Sequence, residues 1–226
     1  WAAKRVLELT PKWFREFWLC DQSITGISFL NELKTIHSSP ARTINVIAGD
    51  FNATVDEIIR SNQITEKKAT FALLDQRTFE CSWKTVVKLS RIKTSNKIEL
   101  FYFFPTGWID RSIAAVRAPD TREKVRTWWG RDDWESLQGI DFTTRANVVA
   151  QLFQDELGYK KAHPYSIHSA IRGGRVMYHM IHASDHAEAF QLMVRAYRKV
   201  SGRPDLPESA TQADFDEIWT DTKTQT

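Results

Sequence analysis

Four short runs of aromatic and β-branched residues divide the first half of this chain, and they limit its possible folds more than any other feature. The runs are FREFWLCD, TINVIAGD, ATFALLD and KIELFYFFPTG. Each is continuously apolar, which is typical of strands in a parallel sheet covered by helices on both faces. The segments between them have helical length and pattern. The sequence therefore predicts an α/β fold with a doubly wound, mostly parallel, Rossmann-like sheet.

The second half predicts a different ending for this sheet. The stretch HPYSIHSAIRGGRVMYHMIHAS indicates two antiparallel strands that turn at Gly173 and Gly174. We expect one α/β domain over residues 1–200, a helical insertion at about 111–158, and a polar linker or tail over 201–226. A chain of 226 residues is long enough for one well-packed domain and too short for two large ones.

Composition narrows the class of protein. With 42% hydrophobic residues and 31 Lys+Arg against 28 Asp+Glu, the chain has the composition of an ordinary globular protein, and its slight positive charge permits a nucleic-acid partner without requiring one. The longest apolar run, IELFYFF, is far shorter than the ~20 residues that span a bilayer, so we expect no membrane association. Cys20 and Cys81 have neither metal-site nor disulfide spacing, so we expect a reducing cytoplasm.

Three of the predicted strands end in an aspartate. Asp21, Asp50 and Asp75 are separated by 29 and 25 residues, about one βα unit each. In open parallel sheets the ligand binds beyond the carboxyl ends of the strands, so the spacing predicts that the three carboxylates line one crevice. The alternative for each is a local role, in which it caps the next helix or forms a turn.

Longer phrases carry a resemblance to a known family. LLDQRTFECSW, KIELFYFFPTGWIDRSI and YHMIHASDHAEAFQLMVRAYRK resemble the three-Cys-motif partner protein (TcmP) family, from about Phe14 to Lys199. The resemblance implies a class I methyltransferase-like fold with S-adenosylmethionine as cofactor, a three-Cys-motif protein as a candidate partner, and nucleic acid as a candidate substrate. The Gly-rich turn that follows the first strand in such methyltransferases is absent from the sequence, and we expect it upstream of Trp1.

The resemblance also implies a set of cofactor-binding residues. Asp21, with Gln22 beside it, matches the acidic position that accepts hydrogen bonds from the ribose hydroxyls, a task that suits a carboxylate because it accepts without donating. Asp50, Phe51 and Asn52 match the loop that holds the adenine ring. Asp50 would accept from the exocyclic amine and Phe51 would pack on the ring.

The segment after Leu74 matches the position where methyltransferases hold the methyl acceptor. Asp75 would orient an amine or take its proton, Arg77 would bind an anionic group, and Phe79 would stack on a flat substrate. DQRTF lacks the two prolines of amino-methyltransferases, which departs from that pattern. The local alternative is that Arg77 pairs with Asp75 or another carboxylate and braces the strand end.

No metal site is expected from the clustered histidines. On a strand, His179 and His182 point to opposite faces. Two functions remain open at this stage: an S-adenosylmethionine-dependent methyltransferase, and a non-catalytic methyltransferase-like interaction module. A nicotinamide oxidoreductase is disfavoured, because the sequence contains no G-x-G-x-x-G motif.

Overall fold

The structure is a computed structural model that describes residues 2–169 and 176–201. The chain divides into two compact units, the first ending at Thr65 and the second beginning at Glu66. Strands and helices alternate in the first unit, whereas in the second unit several helices follow one another and the last two strands are consecutive. Within the part of the chain that is described, no helix is both long and apolar enough to cross a membrane.

The first unit is built on a two-stranded parallel sheet. Strand β1 lies beside β2 in a register that places Glu16 opposite Thr43 and Asp21 opposite Ala48. Its small core joins the first helix, the sheet and the second helix through Leu7, Phe17, Leu30, Leu33 and Ile44. The elements in chain order are α1 (Ala2–Glu8), β1 (Glu16–Asp21), α2 (Ile24–His37), β2 (Thr43–Ala48) and α3 (Phe51–Arg60).

The second unit contains a four-stranded mixed sheet with the strand order β3-β4-β6-β5. Strands β3 and β4 are parallel, whereas β6 is antiparallel to both of its neighbours, β4 and β5. The elements are β3 (Phe71–Leu74), α4 (Trp83–Arg91), β4 (Glu99–Phe104), α5 (Ile109–Ala114), α6 (Pro119–Trp129), a 3-10 helix (Trp134–Leu137), α7 (Phe142–Asp155), β5 (Lys161–His168), β6 (Val176–Ser184) and α8 (Ala189–Ser201).

The prediction of one doubly wound, mostly parallel sheet is wrong. The first four strands form two separate parallel pairs, β1–β2 and β3–β4, which belong to different sheets. Strand β3 has only four residues, and its Phe71 remains 41% exposed, so this apolar run is not covered on both faces as the prediction assumed. A continuous apolar run indicates a strand, but it does not identify the strand's hydrogen-bonded neighbours.

The predicted helical insertion contains α5, α6, the 3-10 helix and α7. Arg145 on α7 is fully buried and holds this region together. Its guanidinium donates to the carbonyl oxygens of Leu137, Thr106 and Ile140 and to the Asp110 carboxylate, with donor–acceptor distances of 2.6 to 3.0 Å. Three tryptophans of the insertion pack in the interior and are less than 9% exposed: Trp128, Trp129 and Trp134.

The antiparallel pair of β5 and β6 is present, with Lys161 opposite Ser184 and Ile167 opposite Tyr178. Its predicted turn at Gly173 and Gly174 lies outside the described residues. So does the predicted tail over 201–226, apart from Ser201, which is the last residue of α8.

Candidate functional site

The carboxylate of Asp21 lies at the carboxyl end of β1, over the start of α2. Its Oδ1 accepts from the backbone N–H of Ser23 at 2.7 Å and from the Ser23 hydroxyl at 2.8 Å. Gly26 allows this close approach, because a Cβ at that position would lie 2.5 Å from Oδ2 and 2.6 Å from Oδ1 of Asp21. Within the described residues, no hydrogen bond to Oδ2 is formed, so this oxygen retains its capacity to accept.

Asp50 lies two residues after the end of β2 and caps α3. Its Oδ1 accepts from the backbone N–H and the side-chain amide of Asn52, both at 2.9 Å. Asp50 is exposed, Phe51 and Asn52 are partly buried, and Gln22 at the end of β1 is exposed. The backbone N–H of Gly49 donates to the carbonyl oxygen of Asp21 at 2.9 Å, so the two strand ends are joined at one edge of the sheet.

The third aspartate, Asp75, differs from the other two. It is exposed, and it makes no hydrogen bond with any residue in the described ranges. The local structural role belongs to its neighbour Gln76, which is 7% exposed. Gln76 donates from Nε2 to the carbonyl oxygen of Phe103 at 3.0 Å and accepts the backbone N–H of Cys81 at 2.9 Å, and it thereby ties the segment after β3 to β4.

The other two predicted acceptor-site residues take different positions. Arg77 is exposed, and its guanidinium forms no ion pair with the residues that the structure covers; its backbone N–H donates to Glu80 at 2.8 Å. The local alternative of an Arg77–Asp75 brace is therefore not observed. Phe79 is 8% exposed and packs against Trp128 with ring centroids 4.8 Å apart, so its ring is part of the interior.

The predicted site residues thus fall into two groups. Asp21, Gln22, Asp50, Phe51 and Asn52 lie together at the carboxyl edge of β1–β2 in the first unit. Asp75, Arg77 and Phe79 follow β3, which belongs to a different sheet in the second unit. The single sheet edge from which a shared crevice was predicted does not exist.

The histidines of β6 face opposite sides of their sheet and make separate contacts. His179 is buried, its Nδ1 lies 2.6 Å from the Thr106 hydroxyl, and burial lowers its pKa to about 4. His182 lies 3.2 Å from Glu99, and this hydrogen bond lowers the pKa of the Glu99 carboxyl. Among the described residues, no group of three or more His, Cys, Asp or Glu side chains is arranged to hold a metal ion.

Both cysteines are free thiols. Cys81 is buried, and Cys20 is partly buried on β1, where desolvation raises its pKa to about 11. At neutral pH the Cys20 thiol is therefore protonated and a weak nucleophile.

Sequence reasoning missed two residues that hold the second unit together, Gln76 and Arg145. Both are long polar side chains that are usually exposed, and neither stands in a pattern that would indicate burial. The relevant signal is tertiary, since their partners are backbone carbonyl oxygens supplied by other elements. Comparisons with protein-family models, with curated proteins and with solved structures gave no match for this chain.

Proposed function

We propose that this protein is an S-adenosylmethionine-dependent methyltransferase, with its cofactor held by the first unit. The observation that supports this best is the carboxyl edge of β1–β2, where Asp21 keeps one acceptor oxygen without a partner among the described residues. That oxygen suits a ribose hydroxyl, and Gly26 lets the carboxylate lie close against the start of α2. The exposed carboxylate of Asp50 is suited to the exocyclic amine of adenine, and Phe51 to its ring.

The proposed acceptor residues belong to the second unit. When bound, S-adenosylmethionine supplies an electrophilic methyl group on a positively charged sulfur. Asp75 accepts a hydrogen bond from the amine that receives the methyl group, and it takes the proton that this nitrogen releases. Arg77 binds an anionic group of the same acceptor. The protein acts in the cytoplasm, in keeping with its two free thiols.

Isothermal titration calorimetry with S-adenosylmethionine tests the cofactor site. We expect heat of binding for the full-length protein, and we expect Asp21→Ala to weaken binding by about 1.5 to 3 kcal/mol because the ribose loses a charged acceptor. Asp21→Asn is the sharper variant, because its amide oxygen can still accept from Ser23 while the second acceptor is lost. Glu32→Gln, an exposed change on α2, is the matched control for the loss of one negative charge. Absence of heat from the full-length protein would reject the proposal.

A non-catalytic role is the second candidate, and the burial of Phe79 favours it. The aromatic residue that the resemblance assigns to the acceptor packs in the interior, and the adjacent Gln76 is used to brace the loop. Under this alternative the protein is a methyltransferase-like module that binds a three-Cys-motif protein. Co-elution with that protein in size-exclusion chromatography, together with no heat from S-adenosylmethionine, would select this alternative.

A further inference from the structure

Three aromatic residues gather beyond the carboxyl end of β4, in a place that the sequence motifs did not indicate. The ring of Phe103, at the end of β4, lies 4.7 Å from the ring of Tyr178 on β6 and 5.7 Å from that of Trp108. Phe103 is 9% exposed, whereas Tyr178 and Trp108 are only partly buried. Phe103 therefore supports two outer rings that retain accessible surface, and we call Trp108 and Tyr178 the aromatic pair.

Asp75 shares a sheet face with this cluster. Leu74 lies opposite Tyr102 in the parallel register of β3 and β4, so Asp75 follows at the level of Phe103. Phe103 in turn lies opposite Met180, two residues from Tyr178, and residues two apart on a strand share a face. Burial raises the pKa of the Tyr178 hydroxyl, and the negative charge of Asp75 raises it further, which agrees with their proximity.

A tight contact fixes the position of Trp108. The backbone N–H of Gly107 donates to the carbonyl oxygen of Met177 at 3.0 Å, and a Cβ on Gly107 would collide with that oxygen. The preceding Thr106 is held by His179 and by Arg145. Trp108 thus extends from a segment that is anchored to β6 and to α7.

The polar groups around the aromatic pair form no hydrogen bond or ion pair with the residues that the structure describes. Within residues 2–169 and 176–201, no hydrogen bond is formed by the Asp75 carboxylate, the Tyr178 hydroxyl or the Trp108 indole N–H, and Arg77 forms no ion pair. A carboxylate, a guanidinium and two partly accessible aromatic rings are therefore available to a ligand at one end of this sheet.

We propose that Asp75, Trp108 and Tyr178 form a binding site for a nucleobase that carries an exocyclic amine, with Arg77 contacting the phosphate of the same nucleotide. The aromatic pair provides the stacking surface, and Asp75 accepts from the amine. The arginine favours a phosphate-bearing ligand over a cationic peptide, which a carboxylate and aromatic rings alone would also attract. This inference rests on the proposed methyltransferase function, because it names the class of methyl acceptor.

The structure also explains how the site can work although DQRTF departs from the amino-methyltransferase pattern. The motif's own aromatic residue, Phe79, is in the interior, so its stacking role passes to side chains from β6 and from the segment after β4. Those residues lie 29 and 99 positions after Phe79 in the sequence, where no local motif connects them.

Fluorescence anisotropy with labelled single-stranded oligonucleotides tests the site in the absence of cofactor. Homo-oligomers of deoxycytidylate and deoxythymidylate of equal length are a matched pair, because both are pyrimidines and only cytosine has an exocyclic amine. We expect the cytidine oligomer to bind about tenfold more tightly. Equal affinities for the two oligomers, or binding of an arginine-rich peptide in place of both, would overturn the proposal.

Three variants separate base recognition from general attraction to phosphate. Asp75→Ala removes an exposed side chain and should abolish the preference for cytidine while the protein stays folded. Tyr178→Ala should weaken binding of both oligomers by about tenfold, because a stacking surface is lost. Phe71→Ala is the control, since Phe71 is an exposed aromatic on the same sheet face at the opposite end of β3, roughly 13 Å away. A cytidine preference that persists in Asp75→Ala would refute the assignment.

Competition with deoxycytidine monophosphate identifies the source of the base. Displacement of the labelled oligomer at comparable concentrations supports free nucleotides as ligands, and displacement by oligomer alone supports nucleic acid. Failure of this inference differs from failure of the proposed function: loss of the cytidine preference with intact S-adenosylmethionine heat rejects only the base site. A cytidine preference without that heat rejects the transferase.

Discussion

An aspartate lies at the end of β1 and within two residues after the ends of β2 and β3, yet the three aspartates make different contacts. Asp21 accepts hydrogen bonds from Ser23, the residue that caps α2, whereas Asp50 itself caps α3 by accepting from Asn52. Asp75 makes no such bond with the described residues, and its neighbour Gln76 makes the local hydrogen bonds instead. The shared position near a strand end therefore does not give the three aspartates a shared local role.

The largest effect is expected when the removal of the Gln76 side chain is compared with the removal of the Asp75 side chain. Gln76→Ala leaves the Phe103 carbonyl and the Cys81 N–H without their buried partners, so we expect a loss of about 3 kcal/mol in the free energy of unfolding. Asp75→Ala should change it by less than about 0.5 kcal/mol. Urea denaturation followed by circular dichroism measures both. Similar losses from the two variants would show that Asp75 has a structural role after all.

The second test concerns the contact between Asp21 and Gly26. Gly26→Ala forces a Cβ against the Asp21 carboxylate, so we expect a loss of about 1 kcal/mol even though alanine favours a helix over glycine by about that amount. In an Asp21→Ala background the same change should become stabilising. A double-mutant cycle measured by thermal unfolding should give a coupling of about 2 kcal/mol. Additive effects would mean that the carboxylate moves aside without cost.

The third test addresses Asp50 as a helix cap. Asp50→Ala should lower the free energy of unfolding by about 1 kcal/mol, since the N–H of Asn52 loses its acceptor. Asp50→Ser should restore most of this loss, because serine is also a good capping residue. Both are measured by chemical denaturation. Unchanged stability in Asp50→Ala would mean that Asp50, like Asp75, does not stabilise the backbone next to it.

The smallest effect on stability is expected at Glu99, a carboxylate of the second unit that is hydrogen-bonded to His182. Its hydrogen bond to His182 lowers its pKa below the ordinary value of 4.5. A lowered folded-state pKa stabilises the protein above the unfolded-state value, and this stabilisation is lost as the pH falls through the folded-state pKa. Glu99→Gln should therefore reduce the acid-induced loss of stability below about pH 4.5 by less than about 1 kcal/mol, because Glu99 is partly exposed. Thermal unfolding measured between neutral and acidic pH checks this, and identical acid profiles would contradict it.

Much of the local structure could be predicted from the sequence. Each continuous apolar run became a strand, and each of the first two strand-end aspartates lies beside the start of a helix. The grouping of Asp21 with Asp50 also followed, because consecutive βα units often place their strand ends side by side. The position of Phe79 could not be predicted, since its burial depends on Trp128, a residue 49 positions further along the chain.

By itself, the sequence determined the secondary-structure elements and the acidic strand ends, because hydrophobic periodicity and capping act over a few neighbouring residues. Only the tertiary structure decided that β3 pairs with β4 in a separate sheet and that Gln76 is buried while Asp75 is exposed. It also decided that Trp108 and Tyr178 both pack against Phe103. These outcomes depend on which distant segments supply hydrogen-bond partners and packing surfaces. Strand pairing is a long-range choice, and the apolar pattern of one strand is compatible with several neighbours.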